Sequence, residues 1–175
     1  MPSDEIKTLL QPYNPWWCED SDWERDLPLY RRPVVSQALA DLRDLPQAIS
    51  ITGPRRVGKS TALQHMISSL IADGVNAQRI LYFSFDDPQL FASTELQRTV
   101  FDKLVEGFTS KNETSYFFLD EIQRLPRWEL FLKKYYDMGA PVRFVVSGSA
   151  SSPIFRSSQE SLLGRIKDRH LLPFS

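Results

Sequence analysis

Lys59 and Ser60 end the segment Gly53-Pro54-Arg55-Arg56-Val57-Gly58-Lys59-Ser60, which has the spacing G-x-x-x-x-G-K-S. Chemistry accounts for each residue type. Glycines let a loop turn successive backbone N–H groups onto a polyphosphate, and a helix beginning at the loop adds unpaired N–H groups and a positive dipole end. A lysine places a flexible charge on β- and γ-phosphates, and a serine hydroxyl can ligate Mg²⁺. The expected nucleotide contacts are therefore Gly53, Pro54, Arg55, Arg56, Val57, Gly58, Lys59, Ser60 and Thr61, with Ser60 on the metal.

A second group lies about sixty residues on. In Tyr116-Phe117-Phe118-Leu119-Asp120-Glu121, four apolar residues run into two carboxylates. Carboxylates in tandem at the end of a buried strand are costly without a task. Beside a phosphate loop, Asp120 would join Ser60 in holding Mg²⁺, and Glu121 would act as general base toward water. A third group is Ser147-Gly148-Ser149-Ala150-Ser151-Ser152. A hydroxyl here could sense the γ-phosphate, with Ser147 the first choice and Ser149 the second, or the stretch is a serine-rich turn. Arg165, after Gly164, is placed either to reach a γ-phosphate in its own or a neighbouring subunit or to form a structural ion pair.

These groups need elements to hold them. Strands are expected at 48–52, 80–85, 116–120, 143–147 and 170–174. The first strand and the loop precede a helix whose apolar face is Ala62, Leu63, Met66, Ile67, Leu70 and Ile71, with Gly74 as its cap. An earlier helix carries Val35, Ala38, Leu39 and Leu42 on one face. A capping box at Thr94-Glu95-Leu96-Gln97 predicts a helix ending at Gly107, and Pro126 is expected in the first turn of a helix ending at Gly139. A short helical segment is expected over 159–165. Lys133-Lys134 reads as a solvated face, and Asp86-Asp87 as a turn or a contact to metal-bound water. Alternating strands and helices predict a three-layer αβα domain with a parallel sheet, its ligand beyond the carboxyl ends of the strands.

Residues 1–33, rich in Pro, Trp and acidic residues, read as an arm lying over a core at 34–175. Trp16, Trp17 and Trp23 anchor it by packing, or part of the arm, including Tyr30-Arg31-Arg32, borders the nucleotide base. A net charge of −1 gives no sign of a DNA-binding surface, although a local basic patch is compatible with it. The lone Cys18 excludes an intrachain disulfide and suits the cytoplasm, and no apolar stretch is long enough to span a membrane.

Taken together, Gly-Pro-Arg-Arg-Val-Gly-Lys-Ser at 53–60, Phe-Leu-Asp-Glu-Ile-Gln-Arg-Leu-Pro at 118–126, Ser-Gly-Ser-Ala-Ser-Ser at 147–152 and Leu-Gly-Arg at 163–165 resemble the prokaryotic AAA-type ATPases. The resemblance is to the AAA_14 group, in which a region designated DUF4143 commonly follows; Asn14-Pro15-Trp16-Trp17 is similar to that group's N-terminal arm. It implies a P-loop NTPase of the additional-strand, catalytic-glutamate type with strand order 5-1-4-3-2. It also implies Walker A roles for Lys59 and Ser60, Walker B roles for Asp120 and Glu121, and a sensor role for Ser147 or Ser149. Such a domain would hydrolyse ATP with Mg²⁺ and couple hydrolysis to an attached or partner domain, or act as a nucleotide-dependent switch. The stop at Ser175 reads as a core without the family's C-terminal part, so partners, a neighbouring subunit among them, stay open. No Asn-Lys-x-Asp motif reads a guanine base.

Overall fold

The computed structural model describes residues 8, 10–86, 105, 107, 113–149 and 162–173. Five strands are present among them: β1 (Ala48–Gly53), β2 (Ile80–Ser84), β3 (Ser115–Asp120), β4 (Val142–Ser149) and β5 (Ile166–His170). All pair in parallel, in the order β2-β3-β4-β1-β5, which is 5-1-4-3-2 read from the other edge. The α-helices α1 (Pro33–Asp44), α2 (Lys59–Ala72) and α3 (Trp128–Asp137), all within the described residues, flank the sheet.

The layers follow from strand alternation. On one face Ile49, Ile51, Phe118 and Val145 meet Leu39 and Leu42 of α1 and Leu63, Met66 and Ile67 of α2. On the other, Leu81, Phe83, Phe117, Leu119, Phe144 and Val146 meet Trp128, Leu132 and Tyr135 of α3. Strands covered on both sides read as unbroken apolar runs, which is why β1, β2 and β3 are visible in the sequence. Gly74 and Gly139 take left-handed conformations just past α2 and α3, as expected of caps.

Four expectations need correction. The last strand is Ile166–His170, not 170–174. As an edge strand it buries little, so Lys167, Asp168 and His170 are exposed and no hydrophobic pattern marks it. The apolar Leu171 instead lies just past the strand, 2% exposed, its N–H bonded to Thr52 O. Second, β4 continues through Ser149, so Ser147 and Ser149 are strand residues, not parts of a turn. Third, Pro126 lies ahead of α3, which starts at Trp128 after a left-handed Arg127. Fourth, residues 162–165 form turns rather than the end of a helix. The segments expected as a helix over 94–107 and at 159–161 fall outside the described residues, apart from Val105 and Gly107.

Residues 14–17 bond to the outer edge of β2. Asn14 Nδ2 donates to Tyr82 O (3.0 Å) and Asn14 Oδ1 accepts from Tyr82 N (2.6 Å), so one side-chain amide replaces a neighbouring strand. Trp16 and Trp17 both donate their indole N–H to Ile80 O, at 3.0 and 2.9 Å. Trp16 also packs edge-on against Trp23, with ring centroids 5.0 Å apart. Asn-Pro-Trp-Trp thus satisfies the backbone groups of a sheet edge that would otherwise invite pairing. At the opposite edge, Arg169 of β5 pairs with Asp41 of α1 at 2.5 Å, and that hydrogen bond is the main cause of a carboxyl held below its ordinary range.

Candidate nucleotide site

The loop between β1 and α2 owes its shape to its glycines. A Cβ on Gly53 would lie 2.4 Å from Leu171 O, so only glycine lets the chain past β5 pass so close. Gly58, at φ +96°, turns the backbone into the first turn of α2, and Arg56, at φ 61°, adds a second left-handed residue. The first N–H groups of α2 lack intrahelical partners by construction, and they lie at the loop. Arg55 and Arg56 are exposed, whereas Val57 and Thr61 are half-buried.

Lys59 is 5% exposed and its ammonium lies across the loop, donating to Gly53 O (3.3 Å) and Pro54 O (3.0 Å). It stands 3.8 Å from Glu121 Oε1. Ser60 Oγ donates to Asp120 Oδ2 at 2.5 Å. The glycine loop and the acid pair, sixty residues apart in sequence, are therefore one cluster.

Asp120 is 3% exposed and carries four donors. Oδ2 accepts from Ser60 Oγ and from Tyr82 OH (2.8 Å); Oδ1 accepts from Ser147 Oγ and from the Glu121 N–H (3.1 Å). Glu121 sits at φ 53° as β3 breaks into the one-turn 3-10 helix Ile122–Arg124. A non-glycine residue in that conformation is strained, and strain of this kind collects at functional sites. The break turns the Glu121 side chain toward Lys59.

Ser147, the first choice for a sensor, contacts the acids themselves: besides Asp120 it accepts from Glu121 N at 3.3 Å. Ser149 pairs in register with Gly53, the first residue of the loop. Arg165 is not brought to the loop. Its backbone O accepts from Ala48 N, at the start of β1, and its guanidinium pairs with Asp137 at 3.0 Å. The phosphate loop lies at the other end of that strand, about 17 Å away by strand rise. Asp86 pairs with Arg124 at 2.5 Å, a turn contact, and Asp87 lies outside the described residues. Arg31 bonds Ser68 and Ser69 of α2, and Arg32 donates to Leu172 O at 2.5 Å, which brings the end of the arm to the chain beside Gly53. Lys133 and Lys134 are exposed, as a solvated face requires.

Sequence reasoning missed Tyr82. It alternates along β2 with Ile80 and Ser84, yet nothing local says that its hydroxyl meets a carboxylate on the next strand. Burial, and then the charge of Asp120, push its phenol far above the ordinary tyrosine range, so it remains a donor throughout the working pH range. Tyr82→Phe is expected to lower unfolding free energy by about 2 kcal/mol, the scale of a hydrogen bond to a charged group. A raised folded-state pKa stabilises fully below the unfolded value and less above it. The gap between wild type and variant, read from denaturant unfolding, should therefore narrow as pH climbs past about 10.

A parallel sheet in this order, with a glycine loop and an acid pair beyond its carboxyl edge, defines a P-loop NTPase domain of the AAA type. The sequence matches the AAA domain family AAA_14 over residues 45–175, and the chain belongs to that family. It is similar to two uncharacterized proteins. With MJ1544 of Methanocaldococcus jannaschii it shares 26% identity over 153 residues, covering 86% of this chain and 32% of that protein. With a protein of Haemophilus influenzae it shares 27% over 140 residues, covering 79% and 34%. The chain thus spans about a third of the length of these relatives. Solved structures with the same fold include Saccharomyces cerevisiae Hsp104 in complex with casein (TM-score 0.58, 15% identity, 81% of this chain and 26% of that one). Caenorhabditis elegans PCH-2 is another (0.55, 17%, 81% and 42%), and AMPPCP-bound DnaA from Aquifex aeolicus a third (0.50, 18%, 79% and 44%). Among the described residues no helix is long and apolar enough to cross a membrane.

Proposed function

We propose that this domain binds ATP with Mg²⁺ and hydrolyses it, coupling the cycle to an attached or partner domain. The observation that carries the reading is the joining of Lys59-Ser60 to Asp120-Glu121, with Ser60 Oγ at 2.5 Å from Asp120 and Lys59 Nζ at 3.8 Å from Glu121. Family membership and the nucleotide AMPPCP bound by the similar DnaA support ATP as the ligand.

The residues present fit both ligands. A hydroxyl and a carboxylate side by side are hard oxygen donors, the kind Mg²⁺ prefers; Ser60 and Asp120 would hold it, and when bound it neutralises charge developing on the phosphates. Lys59 would exchange its two loop carbonyls for phosphate oxygens, and the loop N–H groups would cradle the polyphosphate. Glu121 takes a proton from water as the water oxygen bonds to the γ-phosphorus. The bond from phosphorus to the bridging oxygen breaks, ADP leaves with that electron pair, and the proton passes on to solvent. Ser147 and Tyr82 hold Asp120 in place, and Ser149 is the better-placed hydroxyl beside the loop. With Arg165 remote from this centre, an arginine from a neighbouring subunit or partner would complete it. That addition is worth ~10³–10⁵ in rate in related systems, so turnover by the chain alone should be slow.

The test is calorimetric titration with ATP, with and without Mg²⁺, alongside phosphate release over hours. Saturable binding and slow release support the reading, and absence of binding overturns it.

A further inference from the structure

Glu121 is held from two sides. One carboxylate oxygen, Oε1, faces the Lys59 ammonium at 3.8 Å, and the other, Oε2, accepts from Gln123 Nε2 at 2.5 Å. Lys59 has a phosphate to bind and cannot keep Glu121 in place once it does. Gln123 has no such competing duty. It sits within Ile122–Arg124, a turn pinned by the buried Ile122 and Leu125, 1% and 0% exposed, and by the Arg124–Asp86 ion pair.

The amide's other end reveals what sets its orientation. Gln123 Oε1 is buried and has no hydrogen-bond partner among the described residues. Leaving such an acceptor unpaired is unfavourable. Flipping the amide would not help, because its oxygen would then face the carboxylate. The side chain is therefore oriented by Glu121. Its free oxygen lies at most about 5 Å from Glu121 Oε2, given an amide N-to-O separation of about 2.3 Å, which is within the span of one bridging water.

We infer that Gln123 is a positioning residue for ATP hydrolysis, its amide fixing Oε2 of Glu121 so that Oε1 is the oxygen that takes the proton from water. This rests on the ATPase reading above. Holding a base in reactive geometry matters because a displacement of about 1 Å can cost 10²-fold in rate.

The experiment compares wild type, Gln123→Met, Gln123→Glu, Glu121→Gln and the Glu121→Gln/Gln123→Met pair for kcat, KM and ATP affinity. Methionine keeps the length of the side chain without a donor, and glutamate keeps the shape with the wrong polarity. Both single variants at 123 should lose about 10- to 100-fold in kcat, with KM and calorimetric ATP affinity within twofold of wild type. In the Glu121→Gln background the methionine should cost nothing more, since a residue acting through Glu121 has nothing left to position. A kcat within twofold of wild type in both variants overturns the inference, as does a further loss in the paired variant. Weakened ATP affinity also overturns it, because that is the mark of a merely structural role. If Glu121→Gln itself leaves turnover unchanged, Glu121 is not the base and the positioning role fails, whereas the ATPase reading fails only if wild type neither binds ATP nor releases phosphate.

Discussion

Replacing Lys59 with alanine is expected to weaken ATP binding by about 100-fold or more, the equivalent of about 3 kcal/mol. The ammonium is 4% exposed at the side chain and is the lysine aimed across the loop, where its present partners are two loop carbonyls and Glu121. Neutral loop carbonyls are modest partners beside phosphate oxygens, so the exchange on binding is strongly favourable and its loss strongly felt. The variant should fold, because Pro54 is exposed and the carbonyl freed there can turn to water. Titration calorimetry with a circular dichroism check reads the result. An affinity within threefold of wild type in a folded variant would remove the phosphate-binding role from this loop.

Glu121→Gln is expected to cut phosphate release by 10²- to 10⁴-fold while ATP affinity stays within a few-fold, the usual contribution of a positioned general base. The substitution changes little else. The new amide's oxygen can still accept from Gln123, and the backbone N–H of residue 121 keeps its bonds to Asp120 and Ser147. Binding without turnover would leave a nucleotide-dependent switch in place of a hydrolase. Unchanged turnover, measured over the same hours as wild type, would show that some other group activates the water.

Much of this site is legible from the chain. Gly53, Gly58, Lys59 and Ser60 are types that a phosphate loop demands at fixed spacing, and Asp120-Glu121 close an apolar run whose length and bounds say buried strand. The strand order follows once the family resemblance is seen, and β1, β2 and β3 declare themselves because both of their faces are covered. β5 does not, since an edge strand exposes polar side chains like any loop. The extension of β4 through Ser149 is also hidden, because small polar residues inside a sheet look like a turn.

Local residue types and spacing, then, were enough to nominate candidate groups for phosphate, metal and water and to put them on a loop and a strand end, because the covalent neighbourhood dictates both. Only the tertiary structure decided what holds them: Tyr82 and Ser147 on Asp120, Gln123 on Glu121, Asn14 along the open edge of β2, and Arg165 at the far end of β1. Three of those five contacts join residues between 27 and 68 positions apart. They depend on how strands are ordered and how far each runs, and a hydroxyl or an amide carries no mark of the partner it will meet once the sheet is assembled.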